Sequence, residues 1–157
     1  MVNMRPFTTF EQENLKFLVN HNVKFTQFEI TPIGLRKGIL DSTAPMRTYF
    51  IEEGVHNYKE QLQGQENKVM RDAIILTETS QHPTQVSFYR PITKKGDPRM
   101  WIYKLGAYTE GNDIHVLFYF ERKLYSINIT KIDIETCCQT SFPSPVQKWM
   151  KEVCNKI

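Results

Sequence analysis

"NDIHVLFYFERKLYSINI", Asn112 to Ile129, decides the fold class. Ile114, Val116, Phe118 and Phe120 occupy alternate positions, as do Tyr125, Ile127 and Ile129 beyond Glu121-Arg122-Lys123. A period of two puts those apolar residues on one face of a strand, and the charged interruption predicts a tight hairpin. Upstream, "VMRDAIILTE", "QVSFYR" and "RMWIYKL" are further strand-like runs, separated by "TSQHPT" and, before Asp113, by "GAYTEGN". Strands following one another without intervening helices predict antiparallel pairing in a sandwich or barrel, not a parallel nucleotide-binding sheet.

Shorter elements flank this β region. Thr9-Phe-Glu-Gln12 has the spacing of a capping box and predicts a helix over 9–21. "VKFTQFEI" alternates as a strand ending at Thr31-Pro32. Gly34 and Gly38 bracket Arg36-Lys37 in a loop or single helical turn, and Thr43-Ala-Pro45 opens a helix closed by Gly54. "GVHNYKEQLQGQENK" is polar and aperiodic, which predicts a long surface loop. "SPVQKWMKEVCNKI", 144–157, places Val146, Trp149, Met150 and Val153 on one stripe of a C-terminal helix. The expectation is one mainly β domain over 1–157: antiparallel strands from 25 to 134, with short helices at the N- and C-terminal ends.

The 157 residues suffice for one ordinary core, and 40% hydrophobic with 24% charged residues is soluble globular usage. No stretch reaches the ~18 consecutive apolar residues of a membrane span, and the first residues lack the apolar run of a secretory signal. The chain is therefore expected in the cytoplasm. Cys137, Cys138 and Cys154 form a poor disulfide framework and no zinc pattern, so free thiols are expected.

Net charge is only +3, but it is unevenly spread. Tyr89 to Lys104, "YRPITKKGDPRMWIYK", carries Arg90, Lys94, Lys95, Arg99 and Lys104 against Asp97. Gly34 to Arg47 carries Arg36, Lys37 and Arg47 against Asp41, whereas Glu52 to Glu66 has four acids and one base. Two concentrated basic stretches, one interleaved with Tyr89, Trp101 and Tyr103, suit a polyanion better than a uniformly charged surface would. A hairpin fits the major groove as a two-stranded ribbon. Arg36, Lys37, Arg90, Lys94 and Lys95 are the expected phosphate ligands. Arg99, Asp97 and Gln63 or Gln65 are the candidates for base edges, and Trp101 braces the arm. No phosphate-binding glycine loop, metalloprotease helix or nucleophile elbow is present. One enzymatic alternative exists: Asp113 with Glu121 and Lys123 imitates the Asp…Glu-x-Lys of metal-dependent nucleases, which place two carboxylates on a divalent ion. A protein-interaction module, docking through its aromatic strands and C-terminal helix, is a third reading.

The order "AIILTETSQHPTQVSFYRP", basic loop, "NDIHVLFYF", hairpin, "LYSINI" resembles the N-terminal effector-binding domain of EcoRII-type restriction endonucleases. "TPIGLRKGILD", "QGQENKV" and "YRPITKKGDPRMWI" are similar to the N-terminal module of some MvaI-like nucleases. The resemblance spans roughly Phe25 to Ile134 and implies a DNA-binding pseudobarrel with two recognition arms, Ile33–Lys37 and Tyr89–Trp101. It further implies a bacterial, non-catalytic module that binds double-stranded DNA at a short CCWGG-like site (W is A or T). Such a module would be monomeric in isolation and need no cofactor; Mg²⁺ would serve only a nuclease domain outside this chain. The helix before Phe25 and the polar stretch before Lys68 depart from that pattern.

Overall fold

The computed structural model describes residues 4–140; the helix expected over 144–157 lies outside them. Helix α1 (Thr9–Asn20) leads to strand β1 (Thr26–Glu29), helix α2 (Pro32–Lys37), the two-residue strand β2 (Leu40–Asp41) and helix α3 (Ala44–Glu52). Then come β3 (Val69–Leu76), β4 (Gln81–Tyr89), β5 (Arg99–Ile102), β6 (Ile114–Phe120), β7 (Lys123–Asn128) and helix α4 (Ile134–Thr140). All seven strands form one sheet, ordered β1-β6-β7-β3-β4-β5-β2 and curled into a half-barrel.

The expected mainly β fold is present, but the sheet is mixed. β3 and β7 run parallel, with Ala73 beside Leu124 and Leu76 beside Ile127, which corrects the expectation of antiparallel pairing throughout. A parallel pair needs a long crossover. Here β4, β5 and β6 make up that crossover, so rapid succession along the chain did not mean adjacency in space.

Alternation in β6 and β7 sorts side chains onto two cores. Ile114, Val116, Phe118, Tyr125 and Ile127 pack with Ile74, Leu76, Phe17, Leu18 and Ile134, under α1 and α4. Leu117 and Leu124 turn the other way, joining Phe28, Ile75, Val86, Phe88, Met100 and Ile102 with Met46 and Phe50 of α3. Central strands covered on both faces are apolar at nearly every position, as "IHVLFYF" is. Glu121 and Arg122 have φ of 48° and 63°, the left-handed pair of a two-residue hairpin turn.

Three local expectations need correction. The cap of α1 is Thr8 with Glu11, one residue ahead of the Thr9–Gln12 reading. The polar stretch before β3 is not a loose loop: Tyr58 is buried, and buried Gln61 donates its amide to the carbonyls of Asn67 (3.0 Å) and Phe88 (2.7 Å). Cys138 is disulfide-bonded, whereas Cys137 is free and buried, its thiol pushed up to about 11, chiefly by burial. Among the described residues no helix is long and apolar enough to cross a membrane.

Glu11 is the most consequential buried charge. Fully inaccessible, it accepts from Arg5 Nη1 (2.8 Å) and Nη2 (2.5 Å), Thr8 N (2.8 Å) and Thr130 Oγ1 (2.6 Å). It thereby ties the N-terminal segment and α1 to the turn after β7. These donors, Arg5 first, hold its carboxyl down to about 2. An unfolded Glu takes up its proton near pH ~4.3. The stabilisation is therefore complete above that pH and is lost as pH falls toward about 2. Denaturant midpoints for wild type should drop steadily from pH 5 to pH 3. Glu11→Ala should lower stability by ~3 kcal/mol at pH 7 and flatten that acid limb.

A candidate nucleic-acid interface

β4 and β5 pair with Tyr89 opposite Arg99 and Ser87 opposite Trp101. Phe88, Met100 and Ile102 are buried in the core, so Ser87, Tyr89, Arg99 and Trp101 point to the opposite face. β2 adds Asp41 opposite Arg99. A cleft of about 100 Å³ opens on this face, lined by Tyr89, Arg99, Trp101 and Tyr103, with Lys68 and Gln65 from the segment leading into β3. Lys68 Nζ lies 5.5 Å from the centroid of the Tyr89 ring.

The first basic stretch borders the cleft through α2. Thr31 caps this helix, accepting from Gly34 N (3.0 Å), and exposed Arg36 and Lys37 form its last turn. Gly38 ends it in the left-handed region (φ 66°), and a Cβ there would sit 3.6 Å from the Trp101 indole. The helix end thus lies close to the Trp101 indole. Gly38 and Ile39 from this arm line the same cleft as Arg99.

The second basic stretch is the β4–β5 connection. Lys94, Lys95 and Gly96 all have positive φ (51°, 57° and 70°), a sequence of left-handed residues that costs lysine roughly 1–2 kcal/mol at each position. Arg90 holds it in place. Its Nε donates to the Gly96 carbonyl (3.0 Å) and its Nη1 to the Gln61 carbonyl (2.8 Å). Gln63 donates to the Pro91 carbonyl (3.1 Å) and packs where a Gly96 side chain would stand. Lys94, Lys95 and Asp97 are left exposed at the tip.

The expected site residues therefore separate by task. Lys94 and Lys95 are exposed on the β4–β5 connection, Arg36 and Lys37 are exposed at the end of α2, and Arg99, Trp101 and Gln65 line the cleft. Arg90 and Gln63 are engaged by backbone carbonyls and shape the loop. The carboxylate beside Arg99 is Asp41 at 4.0 Å, not the neighbouring Asp97. Lys68 and Asp41 escaped the sequence reading. Lys68 adjoins a segment with no periodicity, and Asp41 reaches Arg99 only through strand pairing.

Asp113, Glu121 and Lys123 do not converge. Asp113 precedes β6 and Glu121 follows it, so the full strand of seven residues lies between them, a span of ~23 Å. Asp113 is buried and accepts from Glu110 N (3.0 Å) and Asn128 Nδ2 (2.9 Å), while Glu121 belongs to the hairpin turn. Among the described residues no cluster of three or more His, Cys, Asp or Glu could hold a metal ion. His115 is buried against Phe28 and the hydroxyls of Ser126 and Thr109, and burial lowers it to about 4, which leaves it neutral near pH 7.

No family model, curated protein or solved structure matches the chain.

The loop's dependence on Arg90 is open to test. Arg90→Ala should release residues 93–97 and speed tryptic cleavage after Lys94 and Lys95 several-fold. Losing its bonds to buried acceptors should cost ~1–3 kcal/mol of stability. Unchanged cleavage would show that Gln63 and the turn hold the loop unaided.

Proposed function

We propose that this domain recognises double-stranded DNA by sequence, as the target-binding module of a bacterial restriction endonuclease. The observation that carries the reading is the attachment of two exposed cationic segments to elements that line one cleft. Exposed Arg36-Lys37 end the helix whose following residues Gly38 and Ile39 line the cleft, and exposed Lys94-Lys95 lie on the connection between Tyr89 and Arg99, which line it with Trp101 and Lys68. Lysines and arginines on projecting elements neutralise phosphates, and a rigid strand between them offers a few side chains to base edges. The curled seven-stranded sheet is compatible with the DNA-binding pseudobarrel of EcoRII-type effector domains. The β1–β2 and β4–β5 connections fall where that resemblance places its arms.

In this reading Arg36, Lys37, Lys94 and Lys95 contact phosphates, and Arg99 and Gln65 face the bases. Arg90 and Gln63 hold the second arm in shape. The site would be short and CCWGG-like, the module would act as a cytoplasmic monomer, and any Mg²⁺ chemistry would belong to a separate nuclease domain. The separation of Asp113 from Glu121 weighs against the metal-nuclease alternative.

Fluorescence anisotropy against duplexes selected from a random pool tests this directly. Affinity should fall steeply with salt, and Lys94→Ala should weaken all duplexes alike and reduce the log–log salt slope by about one. Arg99→Ala should cost ~1–3 kcal/mol on the selected site and relax its specificity. Binding that is absent, or insensitive to salt, would leave the protein-interaction reading in its place.

A further inference from the structure

The Asp41–Arg99 pair is built unlike an ion pair that serves the fold. Arg99 Nε lies 4.0 Å from Asp41 Oδ1, and the two side chains are 18% and 71% exposed. That Nε is buried and has no hydrogen-bond partner among the described residues. A guanidinium–carboxylate pair optimised for stability closes to ~2.7–2.9 Å, usually through two bonds. The backbone beneath it is firmly fixed, by contrast. Asp41 and Arg99 are directly opposed in the β2–β5 ladder, and Ser42 N donates to the Pro98 carbonyl (3.0 Å). Tyr58 OH donates to the Arg99 carbonyl (2.9 Å) and meets Ser42 Oγ at 2.6 Å. A loosely paired cation and anion thus stand side by side on a rigid mount, with Arg99 lining the cleft and Asp41 on the strand next to it.

We propose that Asp41 and Arg99 act together as the reader of a single G·C base pair, Arg99 on the guanine and Asp41 on the cytosine. This rests on the DNA-binding reading above and adds a specificity-determining residue to it. In the major groove guanine offers O6 and N7 to a guanidinium fork, and cytosine offers its N4 amino group to a carboxylate. Guanine O6 and cytosine N4 are joined by their own hydrogen bond, ~3 Å apart, so groups separated as Asp41 and Arg99 are can engage both. The reversed pair sets donor against donor and acceptor against acceptor. A T·A pair gives the fork one acceptor beside a methyl group. Asp41 also repels phosphate, so it opposes binding in any register that places backbone at this point.

The test uses the full chain, with motifs selected from a random duplex pool by wild type, Asp41→Ala and Arg99→Ala. Dissociation constants are then measured on the wild-type motif and on its single base-pair exchanges. Asp41 is exposed, so its removal leaves the fold intact. Wild type should discriminate about tenfold or more at one G·C pair. Asp41→Ala should reduce that ratio at least several-fold at the same pair that Arg99→Ala relaxes, while binding random duplex more tightly. If Asp41→Ala keeps the wild-type preferences, or the two variants relax different pairs, the inference is overturned and the DNA-binding reading stands. If wild type selects no motif, both fail together.

Discussion

Between Ala73–Leu76 and Leu124–Ile127 the backbone forms a short parallel ladder, and in the strand order this seam joins β1-β6-β7 to β3-β4-β5-β2. The strands of the candidate interface, β4, β5 and β2, belong to the second group, while the buried Glu11 junction lies beside the first, at the turn after β7. A parallel ladder is slightly weaker per residue than an antiparallel one, so its strength has to come from the side chains it aligns. Ile74 and Leu76 enter one core with Ile127, and Ala73 and Ile75 enter the other with Leu124. The seam is therefore clamped from both faces, and the β4–β5–β2 edge is held in fixed relation to the rest of the chain.

What the sequence disclosed was what short-range physics specifies. The β6–β7 hairpin announces itself because seven apolar residues alternate around a charged two-residue turn. The basic character of the β4–β5 connection is a matter of composition. The parallel seam is silent because nothing within Val69–Leu76 says whether its neighbour is the next strand or one some fifty residues later. Tyr58 and Gln61 sit in a polar, aperiodic segment, and their burial depends on backbone acceptors in β4 and β5 that no pattern advertises. The same holds for Arg90, whose basic charge gives no sign that its Nε and Nη1 donate to backbone carbonyls. Counting cations does not reveal which of them are also fastened to the backbone.

The left-handed run at Lys94–Gly96 connects energetics with function. Glycines would adopt that backbone freely, yet two of the three positions carry lysine. Strain of this kind persists only where surrounding contacts over-determine the conformation, and Arg90, Gln63 and the Gly64–Arg90 backbone bond supply those contacts. The result is a rigid tip bearing two cations. Rigidity in the unbound state lowers the ordering entropy that binding would otherwise have to offset. Were the tip to contact phosphates as proposed, a mobile loop with the same charges would lose part of its affinity to that term.

The charge distribution points the same way. Net charge is +3, and outside the two basic stretches and the acidic run Glu52–Glu66 the remaining residues balance to zero. Screening confines each charge to roughly 8 Å at physiological salt, so the whole-chain value matters less than what lies within that radius of the cleft. The acidic run is fastened to the base of the second arm by the Gly64 N–Arg90 carbonyl bond (2.8 Å). A polyanion settling over that flank would meet like charge, whereas one lying over β5 would meet Arg99 and Lys68 at the cleft. Repulsion beside attraction fixes orientation as well as affinity. Were the domain to bind DNA as proposed, so small a net charge would favour one docking pose without holding every nucleic acid it encounters.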